Sequence, residues 1–375
     1  MVAISDHGYG HLAQVAPLLT ALGRRLALRL TVQSGLPLAV LQQHIRLPFD
    51  HLARSADIGM VMDSAVTVRV AESLAAYRQL HLQWPQRLRD ECQLLREIAP
   101  DWVLADIPYL TLAAAAEVGI PAVAICSLNW ADIFAAYCGD YDEAAAYLET
   151  MRKAYRSAAL FLVPEPGMAM ADLPNRYPIP PLARRGRQLR RELANALQLP
   201  DNERWVLVAL GGIATRLPVE QWPTINGVRW IVPADWQLAT AHITPFDQLL
   251  QALPLADLTF ADLLASVDAI ISKSGYGTFA EAAAHATPLL NLKREDWPEA
   301  PVLEAWIAQK ANVVTISATQ LVQGDLAEAL QQLWAQPRRA AVSANGAEVA
   351  AELICRLFGG EKVGSVRPIC SGADA

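Results

Sequence analysis

The chain has 375 residues and a net charge of −7, with 53% of its residues hydrophobic and only 18% charged. This composition excludes extensive disorder, and the acidic balance argues against a general nucleic-acid binder. No apolar stretch reaches the roughly 18 residues of a membrane span, and residues 1–4 lack the basic flank of a signal peptide. We therefore expect a cytoplasmic protein of two domains, with no nucleic-acid partner and no integral membrane segment.

Short apolar runs alternate along the chain with longer Ala- and Leu-rich segments. The apolar runs predict strands at residues 2–5, 28–34, 102–106, 122–126, 205–210, 269–272 and 288–292. The helical periodicity predicts helices at residues 12–25, 67–98 and 110–118. Strands that are apolar throughout and alternate with helices predict an α/β fold with parallel sheets covered on both faces.

One internal comparison indicates two similar halves. Asp101 and Asp268 each precede a short apolar strand, a loop, an Ala-rich helix and a second apolar strand. The same spacing of 20 residues separates Asp101 from Pro121 and Asp268 from Pro288. The pattern predicts two Rossmann-like domains, although any two strand–helix–strand units would share such a length.

A Pro- and Arg-rich stretch without a core pattern separates the two predicted domains. We place the N-terminal domain at residues 1–174, a linker at 175–203 and the C-terminal domain at 204–342. Residues 343–375 are expected to form a C-terminal helix and a mobile tail. The arginines of the linker are either a solvated helix face or a surface for an anionic ligand.

The first candidate site is the turn between the first strand and the first helix, with the sequence HGYGH at residues 7–11. Gly8 and Gly10 allow the backbone to approach a ligand, and a helix N-terminus attracts anions. His11 or His7 could act as a general base. The alternative is that both histidines cap the helix or bond internally. A metal site is not expected, because the glycines interrupt a helical His pair and no third ligand stands nearby.

Asp106 ends the predicted strand at residues 102–106, at the same carboxyl edge as this turn. A carboxylate at that position could orient an imidazole and stabilise its charged form. The alternative is that Asp106 caps the following helix.

The third candidate site is the segment SKSGYGTFAE at residues 272–281, which leads from a strand into a helix. Backbone N–H groups and hydroxyls there suit a diphosphate, and an acid one turn into the helix suits ribose hydroxyls. The alternative is a tight turn with a capped helix. The candidate ligand-binding residues are Ser274, Gly275, Tyr276, Gly277, Thr278 and Glu281.

Two further segments follow predicted strands of the C-terminal half. Gly211 and Gly212 come after residues 205–210, where the backbone has to pass close to another group. The polar segment KREDWPE at residues 293–299 comes after residues 288–292 and should face the cleft between the halves.

Together these residues resemble a glycosyltransferase of the GT-B type. The motifs HGYGH and SKSGYGTFAEA are shared by many such proteins. The segments PDWVLADIPYLTLAAAAEVGIPAVAICSLNWADIFAAY and KREDWPEAP are more specific. They resemble the glycosyltransferase-like N-terminal region of plant L-arabinokinases and their stand-alone bacterial relatives, over residues 1–358.

The resemblance implies two Rossmann-like domains that face each other across a cleft. The C-terminal domain would hold a UDP- or dTDP-sugar donor and the N-terminal domain an acceptor that the sequence does not identify. His11 matches the general base and Asp106 the acid that orients it. The residues that match diphosphate and ribose contacts are Gly277, Thr278 and Glu281. Glu299 matches a residue that recognises sugar hydroxyls. Neither a metal nor another cofactor is implied, because helix and loop N–H groups stabilise the leaving diphosphate.

Two departures from that pattern keep other functions open. The chain contains no counterpart of the kinase half, and its first strand has only about four residues where roughly five or six are usual. Either that strand is short or the true start lies upstream. The leading interpretation is an inverting glycosyltransferase. The alternatives are a nucleotide-sugar hydrolase or epimerase on the same fold, and a nucleotide-sugar-binding protein without catalysis.

Overall fold

Two parallel sheets form the framework of the molecule. The computed structural model describes residues 1–64, 67–211, 216–233, 236, 240–252 and 258–358. The strands of the first sheet are β1 (Val2–Ile4), β2 (Leu30–Gln33), β3 (Phe49–Leu52), β4 (Val103–Asp106), β5 (Ala122–Ile125), β6 (Leu160–Pro164) and β7 (Arg176–Ile179). The strands of the second sheet are β8 (Arg204–Val208), β9 (Val228–Val232), β10 (Ile243–Pro245), β11 (Ala269–Lys273), β12 (Leu289–Leu292) and β13 (Val313–Ile316).

Helices follow most of the strands and cover both faces of the sheets. In the first half they are α1 (Tyr9–Gly23), α2 (Leu38–His44), α3 (Val70–Leu82), α4 (Trp84–Ile98), α5 (Tyr109–Val118), α6 (Trp130–Cys138) and α7 (Ala144–Ser157). The remaining helices are α8 (Arg190–Ala196), α9 (Phe246–Ala252), α10 (Phe260–Ser266), α11 (Tyr276–His285), α12 (Ala300–Lys310), α13 (Ala318–Gln323), α14 (Ala327–Ala335) and α15 (Gly346–Phe358).

The strand orders confirm the predicted α/β architecture of two Rossmann-like units. The first sheet has the order β3-β2-β1-β4-β5-β6-β7, and the second has the order β10-β9-β8-β11-β12-β13. Neighbouring strands in both sheets run parallel. The units β4-α5-β5 and β11-α11-β12, which carry the repeated Asp-to-Pro spacing, occupy the same position in their sheets. Ligand sites of such sheets lie where the strand order reverses, which is after β1 and β4 or after β8 and β11.

Two helix boundaries differ from the sequence prediction. Helix α1 begins at Tyr9, so Gly10 and His11 lie in its first turn. The predicted helix over residues 67–98 divides at Gln83 into α3 and α4. The division falls just before Pro85, which lacks an N–H group and is tolerated only in the first turn of a helix.

The chain crosses between the two halves twice, with the crossing segments side by side. Strand β7 and helix α8 lie inside the stretch that the sequence analysis assigns to the linker. Between them, Leu182 pairs with Asn345 in an antiparallel bridge, and Gly346 N–H donates to Pro181 at 3.1 Å. Helix α15 then packs on the first half, where Phe358 stacks on Trp102 at 5.3 Å.

No helix within the described ranges is long and apolar enough to cross a bilayer. Residues 359–375, which include the predicted tail and Cys370, lie outside those ranges.

The two equivalent helices α5 and α11 allow a paired stability test. Both end in the left-handed backbone region, α5 at Gly119 (φ 73°) and α11 at Ala286 (φ 53°). Ala286→Gly should raise the free energy of unfolding by about 0.5–1 kcal/mol, because a Cβ is disfavoured in that conformation. Gly119→Ala should lower it by about 1 kcal/mol for the same reason, and no clash adds to this cost because the Cβ would contact nothing within 4 Å. Urea unfolding measures the free energy of unfolding of both variants. Shifts of the same sign would contradict a left-handed backbone at the two helix ends.

Candidate active site

A buried pair of His11 and Asp106 lies at the carboxyl edge of the first sheet. Strands β1 and β4 are paired with Ile4 opposite Asp106, so the turn after β1 passes beside the end of β4. His11, in the first turn of α1, donates from Nδ1 to Asp106 Oδ1 at 2.8 Å. The structure therefore brings together the two residues that the sequence analysis assigned to proton transfer.

The remaining ring nitrogen of His11 suits a base. Its Nε2 makes no hydrogen bond to any residue in the described ranges, and 5% of the residue stays exposed. Burial lowers the pKa of His11, but the nearby carboxylates, Asp106 foremost and then Asp57 and Glu299, raise its pKa overall. An imidazole so placed accepts a proton at Nε2 while Asp106 holds its Nδ1 proton.

Cys126 completes a group of three potential metal ligands with His11 and Asp106, all within 4.8 Å of one another. Burial raises the pKa of the Cys126 thiol well above its usual range, so the sulfur is a neutral thiol, and it lies 3.6 Å from His11 Nδ1. A metal would displace the proton that joins His11 to Asp106. We interpret the group as a hydrogen-bonded cluster that fixes the imidazole.

His7, the other histidine of the turn, has a structural environment. Its Nε2 donates to the Met60 carbonyl at 3.0 Å. Its ring stacks on Trp297 at 5.9 Å and meets the edge of Trp130 at 5.0 Å. Burial, followed by the nearby His11, lowers the pKa of His7 to about 3. His7 is therefore a neutral residue that packs and bonds internally. The sequence analysis considered this as the alternative to a general base.

The N-termini of α1 and α11 meet between the two halves. The N-cap residues are Gly8 and Gly275, which have no side chain to cap the helices, and neither first turn contains an acid. A Cβ on Gly277 would lie 3.1 Å from Ala13 Cβ, so glycine permits the close approach of the helices. Gly8 and Gly10 border open space. Unpaired N–H groups and two positive helix ends make this place suitable for an anion.

Two cations lie beside these helix ends. Lys273, at the end of β11, has its pKa lowered to about 7 by burial and by Arg294. Arg294 is buried, lies 4.1 Å over the Trp297 ring, and its Nε has no hydrogen-bond partner among the described residues. At Gly211 a Cβ would lie 3.3 Å from Lys273 Cε, which explains the glycine there. Gly212 lies outside the described residues.

The side chains of the predicted diphosphate-binding loop differ in whether they already form hydrogen bonds within the protein. Ser274 is buried and donates to Glu304 at 2.5 Å and Asn291 at 3.2 Å. The Tyr276 hydroxyl accepts from the Leu182 N–H at 2.8 Å and donates to the Glu165 carbonyl at 3.3 Å. Thr278 makes no side-chain hydrogen bond within the described part of the chain. Thr278 and the backbone of the loop thus remain for a ligand, whereas the two other side chains hold the loop in place.

A cavity of about 160 Å³ lies behind this loop and is lined in part by Asn291, Glu304 and Arg339. It opens beside α12 and β13, away from His11. Its walls contain neither of the two cations nor the helix ends described above, so we do not place the diphosphate there.

Glu281 lies on α11 against the linker. It is 8% exposed, and burial raises its pKa to about 7, partly opposed by Arg184. His285, one turn further, accepts from the Gly186 N–H at 2.8 Å. A ribose contact from Glu281 would therefore form next to the crossing segment.

Glu299 joins the two halves across the cleft. Ser127, after β5, donates to Glu299 Oε1 at 2.6 Å, and Trp297 Nε1 donates to Oε2 at 3.2 Å. Gln14 on α1 holds Ser127 through two contacts of 3.0 and 3.3 Å. The sequence analysis expected Glu299 to contact sugar hydroxyls. In the structure both of its carboxylate oxygens accept hydrogen bonds from other residues of the protein.

Several residues of the site are absent from the sequence assignments. Ser127 follows β5 at the same carboxyl edge as Asp106, so the edge rule could have found it. Lys273 lies within the predicted segment at residues 272–281 but is not among the ligand-binding residues chosen from it. No sequence pattern indicates a functional role for Asp57 or Trp130. Asp57 lies in an irregular segment, and Trp130 resembles an ordinary core residue.

The architecture and cleft are those of the GT-B fold, and similar solved structures confirm it. The glycotransferase of kitacinnamycin has a TM-score of 0.62 and 16% identity, covering 95% of this chain and 98% of its own. UGT2 of Phytolacca americana, complexed with UDP-2-fluoro-glucose and pterostilbene, has a TM-score of 0.54 and 15% identity, with 95% and 93% covered. A putative UDP-N-acetylglucosamine 2-epimerase from Listeria monocytogenes has a TM-score of 0.57 and 13% identity, with 98% of both chains covered.

A curated relative confirms the resemblance that the motifs predict. The L-arabinokinase of Arabidopsis thaliana is 25% identical over an alignment of 363 residues, which covers 94% of this chain but 33% of the plant protein. The chain therefore spans about a third of the length of this relative. A scan against models of known protein families finds no match.

The bridge between the halves can be tested through Ser127. Ser127→Ala leaves buried Glu299 Oε1 without its donor and should lower the free energy of unfolding by about 1–3 kcal/mol. The matched control is Ser272→Ala, because within the described residues that buried hydroxyl donates only to the adjacent Lys273 carbonyl. Denaturant unfolding measures both variants, and an equal loss in the control would contradict a special role for the bridge.

Proposed function

We propose that the protein is a glycosyltransferase that moves a sugar from a UDP- or dTDP-sugar to an acceptor hydroxyl. The observation that carries the proposal is the His11–Asp106 pair in the same cleft as two uncapped helix N-termini and two cations. A base for a hydroxyl group and a binding place for a diphosphate are the two parts that this reaction needs.

In the proposed reaction His11 Nε2 takes the proton of the acceptor hydroxyl. The hydroxyl oxygen bonds to the anomeric carbon as the bond from that carbon to the diphosphate oxygen breaks. The diphosphate leaves with the electron pair, and attack from the opposite face inverts the anomeric centre. Asp106 stabilises the imidazolium that forms.

The donor would lie against the N-terminus of α11. The N–H groups of α11, the turn at Gly8 and Gly10, and the Thr278 hydroxyl would hold the diphosphate. Lys273 and Arg294 would neutralise the charge that develops on it, which requires no bound metal. Glu281 would contact the ribose and Glu299 the transferred sugar, each through carboxylate lone pairs beyond those used in the present contacts or by exchange of a present partner.

A second function is favoured by the likeness to the 2-epimerase. In this second function, the same site would act as an epimerase or hydrolase on the nucleotide sugar without an acceptor. Incubation with UDP-sugars alone distinguishes the two functions, because an epimerase or hydrolase yields an epimer or free sugar and a transferase needs the acceptor.

His11 provides the direct test of the transfer reaction. His11→Ala should lower the rate of transfer by about 10²- to 10⁴-fold, because the acceptor loses its base. The matched control is His242→Ala, at an exposed histidine of the second half, and it should keep the wild-type rate. The assay follows release of UDP or dTDP from a panel of donors with hydroxyl acceptors. Wild-type turnover in His11→Ala would remove His11 from the mechanism.

Lys273 predicts a pH dependence of donor binding. Its pKa of about 7 in the free protein means that the cation is present below that pH and lost above it. The affinity for UDP-glucose should therefore fall above about pH 7, by at most about tenfold per pH unit, and level off below it. Lys273→Arg keeps its charge and should flatten the curve. Calorimetric titration measures both proteins, and an unchanged slope in Lys273→Arg would assign the effect to another group.

A further inference from the structure

Asp57 is a buried acid that the proposed reaction does not use. It lies in the segment after β3 and is 8% exposed. Trp130 Nε1 donates to its Oδ2 at 2.7 Å, and the Ser5 hydroxyl donates to its Oδ1 at 3.1 Å. Two donors on two oxygens hold a carboxylate in one orientation and favour its charged form.

Trp130 connects this acid to the candidate base. Its ring centroid is 5.5 Å from that of His11 at an interplanar angle of 54°, and 5.0 Å from that of His7. Trp130 is fully buried as the first residue of α6, so its ring has little freedom to move. The hydrogen bond to Asp57 fixes the indole plane, and the indole packs against the imidazole.

The charges that face His11 come from several elements. Asp106 at the end of β4, Asp57 after β3 and Glu299 before α12 all favour its protonated form. Cys126 after β5 is a neutral thiol, and His7 on the same turn is a neutral ring. The cations Lys273 and Arg294 act on the neighbouring His7. Asp57 differs from Glu299 because it lies in the same half of the chain as His11.

We propose that Asp57, held by Trp130 and Ser5, is a positioning residue that fixes the His11 ring and stabilises its protonated form during sugar transfer. This inference rests on the proposed function. Asp57 would touch neither donor nor acceptor and would act through His11 alone. The carboxylate supplies a negative charge that is already in place when the imidazolium forms.

The pH at which Asp57 acts follows from its own titration. Burial raises the pKa of Asp57 to about 6, against the opposing effects of His11 and its two donors. Above about pH 6 the carboxylate is charged and supports a proton on His11. At lower pH the acid is neutral, and this support is lost.

The test measures the His11 pKa directly by NMR titration of protein labelled at its histidines, with the His11 signal assigned from His11→Ala. Asp57→Asn keeps the size of the side chain but removes the charge, and it should lower the His11 pKa by about half a pH unit or more. Trp130→Phe keeps a ring against His11 but removes the donor to Asp57, and it should shift the pKa in the same direction. The matched control is Asp50→Asn, at an exposed acid on β3, which should leave the His11 pKa unchanged.

The rate of transfer supplies a second measurement. In Asp57→Asn the acidic limb of the kcat/KM profile should move to lower pH, and kcat at its plateau should fall by about three- to tenfold, because the base is weaker and less well oriented. An unchanged His11 pKa in both variants overturns the inference, even where stability is lost, because a packing role alone would not move that titration.

The two proposals fail in distinguishable ways. If the wild-type protein transfers no sugar but Asp57→Asn lowers the His11 pKa, the electrostatic pairing stands and the proposed function fails. If transfer occurs and depends on His11, but Asp57→Asn changes neither the pKa nor the pH profile, the inference about Asp57 fails alone.

Discussion

The contact between the N-termini of α1 and α11 is the constraint on which the rest of the cleft depends. Two helix ends with unpaired N–H groups repel each other weakly, so their approach at Gly277 and Ala13 has to be held from elsewhere. The paired crossing segments at Leu182 and Asn345, and helix α15 on the first half, provide that support. The two positive helix ends are thus held at one place by the backbone, which favours a negative charge there.

Around that position the charged side chains separate by sign. Acids gather near His11, where a positive charge would form, and Lys273 and Arg294 lie beside α11, where a negative charge would form. Burial disfavours charge in both groups, which is why the pKa of Asp57 rises and that of Lys273 falls. Groups with such shifts gain most from a neighbour of opposite charge, whether it is a bound ligand or a transition state.

The sequence predicted the elements that local patterns determine. Apolar runs predicted seven of the thirteen strands in the described residues, and the carboxyl-edge rule placed His11 near Asp106. The patterns missed β3, β6, β7, β9, β10 and β13. The same rules could not find Asp57, because its position depends on an irregular segment folding back onto Trp130. Nor could they show that the Tyr276 hydroxyl serves the linker, since the contact with Leu182 spans 94 residues. Side-chain partners across the cleft are decided by packing between the halves, which leaves no local signature.

The bridge at Glu299 links recognition to the relative position of the halves. Its carboxylate is bound by Ser127 from the first half and by Trp297 from its own loop. Each carboxylate oxygen can accept a second hydrogen bond, so a sugar hydroxyl could join one of these donors or replace it, and replacing Ser127 would remove a direct bond between the halves. Replacing the indole N–H instead would keep the bridge but release the ring that stacks on His7. Either exchange trades one hydrogen bond for another, so its net cost is small compared with leaving the buried acid unpaired. A sugar hydroxyl that displaced Ser127 would therefore weaken the contact between the halves, whereas one that displaced Trp297 would leave that contact in place.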